Sequence, residues 1–128
     1  MKIYKLLVAG SRTVSDYDLV ARKLDHLVSG WMSGLASTII VIEGEAPGVD
    51  LLAKRWATER GHGVLPMPAD WDKHGRPAGY VRNVAMADQD PDAAVLFWDG
   101  KSPGTTMMRN ILDERDIPYR LIRIDNPV

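Results

Sequence analysis

Three short apolar runs in this chain each end in a break of small and polar residues that leads into a helical pattern. With their flanking residues, the breaks span residues 8–12, 42–50 and 97–106. Glycine lets the backbone approach a ligand closely, and the start of the following helix offers unpaired N–H groups and the positive end of its dipole to an anion. The repeated pattern indicates an α/β domain that binds a phosphate or a nucleotide.

Strands and helices are predicted to alternate from end to end. Apolar runs of strand length cover residues 3–9, 38–42, 63–67, 93–98 and 119–124, and helical spacing covers residues 15–32, 49–60, 78–87 and 105–116. Continuous apolar strands suit burial on both faces, and right-handed crossovers between parallel strands put helices on both faces of an open sheet. We predict one three-layer α/β domain over residues 1–128 with strand order 3-2-1-4-5, a connecting turn at residues 30–37, and a ligand crevice at the carboxyl ends of strands 1 and 4.

Composition excludes several other classes of protein. Sixteen basic and seventeen acidic residues give a formal net charge of −1, so a groove for nucleic acid lacks its usual electrostatic footprint. The chain has no cysteine and three scattered histidines, so we expect neither a metal site nor a bound cofactor. No apolar span approaches the roughly 20 residues that cross a bilayer, and no cleavage-site pattern follows the N-terminus. We therefore expect a cytoplasmic protein without a membrane partner.

Four motifs together resemble one known family: Ala9-Gly10-Ser11-Arg12, Gly44-x-Ala46-x-Gly48-x-Asp50, Pro68-Ala69-Asp70-Trp71-x-x-x-Gly75 and Ala78-Gly79-x-x-Arg82-Asn83-x-x-Met86. They resemble the YspA-type, YpsA-related branch of the SLOG superfamily, which comprises Rossmann-like domains of bacteria and their phages. The resemblance runs from about Lys5 to Ile124. It implies a Rossmann-like fold, a nucleotide or nucleotide-derived ligand that is sensed or sequestered, and a homo-oligomer, as a dimer or higher.

The candidate ligand-binding residues of the first two breaks are Gly10, Ser11, Arg12, Gly44, Gly48 and Asp50. In the first break, successive N–H groups, the Ser11 hydroxyl and the Arg12 guanidinium could hold a phosphate. The alternative is an ordinary strand-to-helix turn with a surface arginine. In the second break, Gly48 is expected to open a helix, and Asp50 either accepts hydrogen bonds from a ribose or stabilises the helix N-terminus.

A second group of candidates lies in residues 69–86. Asp70 and Trp71 are predicted to end the third strand, and Arg82 and Asn83 to lie on the helix that begins at residue 78. An indole can stack on a base, an arginine can hold a phosphate, and an asparagine can bond a base edge or a sugar. The alternative places Trp71 in the core and pairs Asp70 with Arg82.

The third break adds Gly104, Thr105 and Thr106. Two hydroxyls and the N–H groups of a new helix N-terminus are expected there, which suits a phosphate. Thr105 could also serve as a simple N-cap, and the two roles are compatible.

The resemblance also implies an enzymatic alternative. In phosphoribohydrolase relatives that act on nucleoside monophosphates, a Pro-Gly-Gly-x-Gly-Thr-x-x-Glu segment supplies a catalytic glutamate. Alignment of its Gly-Thr with residues 104–105 puts Met108 at the glutamate position, and a thioether cannot activate water. We therefore favour a binding module over an enzyme. An N-glycosidic hydrolase is the alternative, with Asp50, Asp70 or Asp99 in place of the missing acid.

A second alternative is DNA binding in the manner of the DNA-processing protein A relatives. It requires the basic residues Arg12, Arg76, Arg82 and Lys101 to form one patch, because the net charge of the chain is close to zero. A nucleic-acid partner is accordingly not expected.

Overall fold

A computed structural model describes residues 2–32 and 37–124. Its strands are β1 (Lys2–Gly10), β2 (Ser37–Glu43), β3 (Gly63–Pro66), β4 (Ala93–Trp98) and β5 (Tyr119–Arg123). Its helices are α1 (Tyr17–Val28), α2 (Val49–Glu59), α3 (Trp71–His74), α4 (Ala78–Ala87) and α5 (Pro103–Glu114). None of the helices in these ranges is long and apolar enough to span a membrane.

The five strands form one parallel sheet in the order β3-β2-β1-β4-β5, which confirms the predicted order. The central strand β1 pairs Leu6 with Val41 of β2 on one side and with Ala93 of β4 on the other. At its carboxyl end, Gly10 lies opposite Phe97 of β4. The first and third breaks therefore leave the sheet side by side.

Alternate residues of the buried strands build two apolar layers, one on each face of the sheet. On one face, Leu6 and Val8 pack with Val20 and Leu24 of α1 and with Trp56 of α2. On the other face, the apolar cluster consists of Leu7, Ile42, Met86, Ala94, Leu96, Met108 and Leu112. The helices α1 and α2 thus cover one face, and α4 and α5 cover the other, so the predicted three-layer α/β architecture is confirmed.

Two helix ends differ from the sequence prediction. Helix α1 begins where the Asp16 carboxylate accepts the N–H of Leu19 at 3.1 Å, but it ends at Val28 and not at residue 32. The turn predicted over residues 30–37 follows it, and residues 33–36 lie outside the described residues. Helix α5 begins at Pro103 because the fixed φ of proline suits the first helical position. Thr105 is therefore a buried residue inside the helix, and the prediction that it caps the helix was wrong.

The segment after β3 also differs. The strand ends at Pro66, so Asp70 and Trp71 do not end it as predicted. Instead the Asp70 carboxylate accepts the N–H of Lys73 at 3.0 Å and caps the short helix α3, in which Trp71 is the first residue. Pro66 and Pro68 have no N–H to donate to a neighbouring strand, which accounts for the early end of β3.

The contact between β1 and its neighbours generates a test of the fold. A Cβ at Gly10 would overlap the carbonyl oxygen of Phe97 and the side chain of Val49. We expect Gly10→Ala to lower the free energy of unfolding by about 1–3 kcal/mol, the usual cost of overpacking. Urea denaturation measures it, and Gly30→Ala is the control, because a Cβ at Gly30 meets no described atom within 4 Å. Equal stability of the two variants would contradict the close packing at the end of β1.

Candidate functional site

A cavity of about 490 Å³ opens at the carboxyl ends of β1 and β4, between the first and third breaks and helices α4 and α5. A volume of this size is typical of a small-ligand site. Nine of the predicted ligand-binding residues line it: Gly10, Ser11, Arg12, Asp50, Trp71, Arg82, Asn83, Gly104 and Thr105. The crevice expected at this topological switch point is therefore present.

Helix α4 presents one face to the cavity. Gly79, Arg82, Asn83 and Met86 line it, and their spacing of three and four residues places them on the same side of the helix. Met86 also packs in the core beneath. The sequence motif Gly79-x-x-Arg82-Asn83-x-x-Met86 is thus the cavity-facing stripe of α4.

Four predicted ligand-binding residues lie outside the lining. Gly44 is buried behind it, Gly48 packs against the backbone of Ser11, Asp70 caps α3, and the Thr106 hydroxyl lies 3.5 Å from the carbonyl oxygen of Ser102. Asp99, a candidate catalytic acid, also lies outside the lining and binds backbone N–H groups. The roles assigned to these residues stay predictions, but each has a structural partner inside the protein.

Arg82 is held by the second break. Its Nη1 donates to the carbonyl oxygen of Gly44 at 2.7 Å, and its Nε donates to Asn83 Oδ1 at 2.9 Å. A Cβ at Gly44 would overlap the guanidinium of Arg82 and would lie 2.8 Å from Asp50 Oδ2, so glycine is required for this approach. The second break therefore fixes the orientation of the arginine, although Gly44 itself does not reach the cavity.

Two carboxyl groups are buried beside Arg82. Asp50 lines the cavity and accepts the N–H of Ala46 at 3.2 Å; its burial raises its pKa to about 6, against the opposing effect of the Arg82 charge. Glu43 is fully buried at the end of β2, and burial, followed by its hydrogen bonding with Glu45, raises its pKa to about 8. Within the described residues, Glu43 Oε2 has no hydrogen-bond partner. Burial thus favours the neutral form of Glu43.

A hydrogen-bond chain joins the first and third breaks. The N–H of Asp99 donates to Ser11 Oγ at 3.0 Å, the Ser11 and Ser102 hydroxyls lie 3.0 Å apart, and the Ser102 hydroxyl donates to Asp99 Oδ2 at 3.1 Å. The N–H groups of Lys101 and Ser102 donate to Asp99 Oδ1, and these bonds hold the pKa of Asp99 at about 2. The Ser11 hydroxyl is therefore already bonded within the protein.

Four lining residues with polar side chains were not among the predicted ligand-binding residues: Thr13, Arg76, Tyr80 and Ser102. Three of them directly adjoin a predicted motif or stand inside a predicted break, so their position next to the predicted residues could have indicated them. Tyr80 gave no signal, because a tyrosine on a helix packs in the core as readily as it binds a ligand. Trp71 is 52% exposed and Tyr80 is 53% exposed, so the alternative that placed Trp71 in the core was wrong.

Among residues 2–32 and 37–124, no group of three or more His, Cys, Asp or Glu side chains could hold a metal ion. The charged lining consists of Arg12, Arg76, Arg82 and Asp50. Such a set can bind an anion through the guanidinium groups and a hydroxyl through the carboxylate.

Comparison with known proteins gives two matches. The family described as YspA, cpYpsA-related SLOG family has a model that matches residues 4–74, more than half of the chain. The Gene 61 protein of Mycobacterium phage D29 is 32% identical over 123 residues, which covers 89% of this chain and 92% of the phage protein. No solved structure matches the chain. The family match includes the first two breaks and Trp71, and it ends before Arg82.

The buried acid Glu43 generates a pH prediction. Its folded-state pKa of about 8 lies above its ordinary value of 4.5, so the stability that it contributes is present below pH 4.5 and is lost as the pH rises through about 8. Relative to Glu43→Gln, which mimics the neutral acid, we expect the free energy of unfolding of the wild type to fall across this range by up to about 1.4 kcal/mol per pH unit.

Denaturant unfolding at a series of pH values measures the difference. Glu114→Gln, at the exposed end of α5, is the matched surface control. A difference between wild type and Glu43→Gln that does not change with pH would mean that the folded-state pKa of Glu43 is not raised above its ordinary value.

Proposed function

Because the chain belongs to the YspA, cpYpsA-related SLOG family, we propose that its cavity binds a nucleotide or a nucleotide-derived ligand, which the protein senses or sequesters. One observation carries the proposal: Arg12, Arg76 and Arg82 come from three separate segments and line the same cavity. Converging guanidinium groups are the usual means by which proteins hold phosphate and other multivalent anions.

The third break supports the same ligand class. Gly104 and Thr105 lie in the first turn of α5 and line the cavity, so the positive end of the helix dipole adds to the field of the arginines. Asp50, which also lines the cavity, can accept hydrogen bonds from a ribose. A nucleotide satisfies both kinds of group with one molecule.

We further propose that the protein acts in the cytoplasm. We also propose that it is a homo-oligomer, as the resemblance to the SLOG superfamily implies. Its partner is a small molecule and not a nucleic acid. The net charge of −1 supports this, because a nucleic-acid interface depends on an excess of positive charge.

Asp50 supports a second candidate, the N-glycosidic hydrolase. A carboxyl group with a pKa of about 6 on a cavity wall can give or accept a proton near neutral pH, which an acid at its ordinary pKa does less well. Asp50 would then activate the water that displaces the base from C1′ of the ribose. Met108 at the usual glutamate position carries a thioether, so it cannot take this role.

The binding proposal is tested by thermal shift against nucleoside mono-, di- and triphosphates, ADP-ribose and cyclic dinucleotides. A ligand at 100 times its Kd stabilises the folded protein by about 2.7 kcal/mol. We expect Arg82→Ala to weaken binding about tenfold to a hundredfold through loss of charge-assisted hydrogen bonds.

Arg12→Ala tests the same site without disturbing buried contacts, because Arg12 is exposed and lines the cavity. We expect it to weaken binding about tenfold. Arg22→Ala, an exposed residue of α1 outside the lining, is the matched control and should bind as the wild type does. The proposal fails if no compound shifts the unfolding temperature of the wild type.

The hydrolase candidate is tested by mass spectrometry of the same mixtures after overnight incubation. If the protein is a hydrolase, free base and ribose phosphate accumulate, and Asp50→Asn abolishes them by removing the titrating group. Asp50→Asn must still bind the nucleotide for this comparison to hold. Recovery of every nucleotide intact with the wild type excludes this candidate and leaves the binding module.

A further inference from the structure

The cavity wall contains nearly all the buried polar side chains of the described residues. Ser11, Asp50, Asn83 and Thr105 are each at most 7% exposed and line the cavity, and Glu43 lies behind them. Buried polar groups of this kind normally read a ligand by hydrogen bonding. Which part of a nucleotide these groups can bind depends on which of their hydrogen-bond donors and acceptors are not already used by contacts within the protein.

Three neutral side chains on this wall, Ser11, Ser102 and Asn83, are bonded inside the protein. Ser11 and Ser102 belong to the hydrogen-bond chain with Asp99. The carboxamide oxygen of Asn83 accepts from Arg82 Nε, and its amide nitrogen lies 3.4 Å from the carbonyl oxygen of Gly104. An asparagine held on both sides cannot turn to match the donor and acceptor pattern of a particular base.

The charged groups have hydrogen-bond donors and acceptors left for a ligand. Arg82 Nη2 takes part in neither of the two hydrogen bonds that orient the guanidinium. Arg12 is exposed at the cavity, and the Asp50 carboxylate, which accepts the N–H groups of Ala46 and Gly44, has further lone pairs. Guanidinium groups bind phosphate and a carboxylate binds sugar hydroxyls, and neither depends on which base is attached.

Apolar and aromatic side chains line the rest of the cavity. Trp71 and Tyr80 line it and are more than half exposed, so their ring faces are open, and the indole of Trp71 lies beside Gly79. Met86 and Met108 form part of the buried wall. Aromatic faces stack on every base, and methionine adapts to different shapes, so these groups favour a base without identifying it.

We infer that this cavity recognises nucleotides through their ribose and phosphate and does not discriminate between bases that stack equally well. The inference rests on the proposed nucleotide-binding function and names its ligand class: 5′-nucleotides of either purine and of either pyrimidine. Adenine and guanine provide the sharpest comparison, because they stack with similar area but present different hydrogen-bonding groups at their edges.

The experiment is calorimetric titration of the wild-type protein with the 5′-mono- and diphosphates of adenosine, guanosine, cytidine and uridine, and with adenosine and ribose 5-phosphate. At each phosphorylation level, we expect the two purines to agree within about fivefold, and the two pyrimidines likewise, because stacking alone separates them weakly. Adenosine should bind at least about tenfold more weakly than its nucleotides, since it lacks the charged group. Ribose 5-phosphate should retain measurable binding.

Variants of the aromatic groups separate stacking from edge reading. Trp71→Ala should weaken all nucleotides by about tenfold and leave ribose 5-phosphate unchanged, and Trp71→Phe should restore part of the loss. Tyr80→Phe should change the affinity for all the nucleotides by the same factor, because the stacking face is kept and only the hydroxyl is removed. Both side chains are exposed, so these substitutions spare the core.

Each unfavourable outcome has a distinct meaning. A preference of about a hundredfold or more for adenine over guanine, or the reverse, overturns the inference and leaves the proposed function standing, since a site that hydrogen-bonds a base edge rejects the wrong base strongly. An equal loss of ribose 5-phosphate binding in Trp71→Ala also overturns it, because the indole would then act on the sugar phosphate. Absence of binding by every compound overturns the inference together with the proposed function.

Discussion

The site depends on the burial of two carboxyl groups, Glu43 and Asp50, beside the single guanidinium of Arg82. Burial in a low-dielectric interior penalises charge, so three ionisable groups can coexist there only if one acid stays neutral or all are tightly bonded. The protein uses both solutions: Glu43 favours its neutral form, and the Gly44 carbonyl and Asn83 fix the guanidinium. The position of Arg82 on the cavity wall follows from that balance.

The fold serves this arrangement by bringing distant segments to one edge of the sheet. With β1 and β4 adjacent, the chain leaves them toward helices on opposite faces, and the cavity forms between. The arginines reach it from three different segments, and α4 adds a regularly spaced face. No single motif is the site, which is why each glycine break alone says little about function.

The sequence was sufficient for the sheet, because long runs of Val, Ile and Leu specify buried strands and parallel crossovers restrict their order. It also indicated nine cavity-lining residues through their position after strands or on a helix face. It did not reveal α3, since four residues held by the Asp70 cap carry no periodic signal. Nor could it show that Ser11 is bonded to Asp99, because that contact joins residues 88 positions apart and exists only in the folded sheet.

The hydrogen-bond chain of Ser11, Ser102 and Asp99 responds to acid differently from the two buried carboxyl groups beside Arg82. Hydrogen bonds from backbone N–H groups lower the pKa of Asp99 to about 2. The stability that these bonds contribute is therefore fully present above pH 3.8, the ordinary pKa of the group, and is lost only as the pH falls through about 2. Burial raises the pKa of Asp50 to about 6 and that of Glu43 to about 8. The hydrogen bonds to Asp99 therefore persist at every physiological pH, whereas the charges of Asp50 and Glu43 change with the pH of the surroundings.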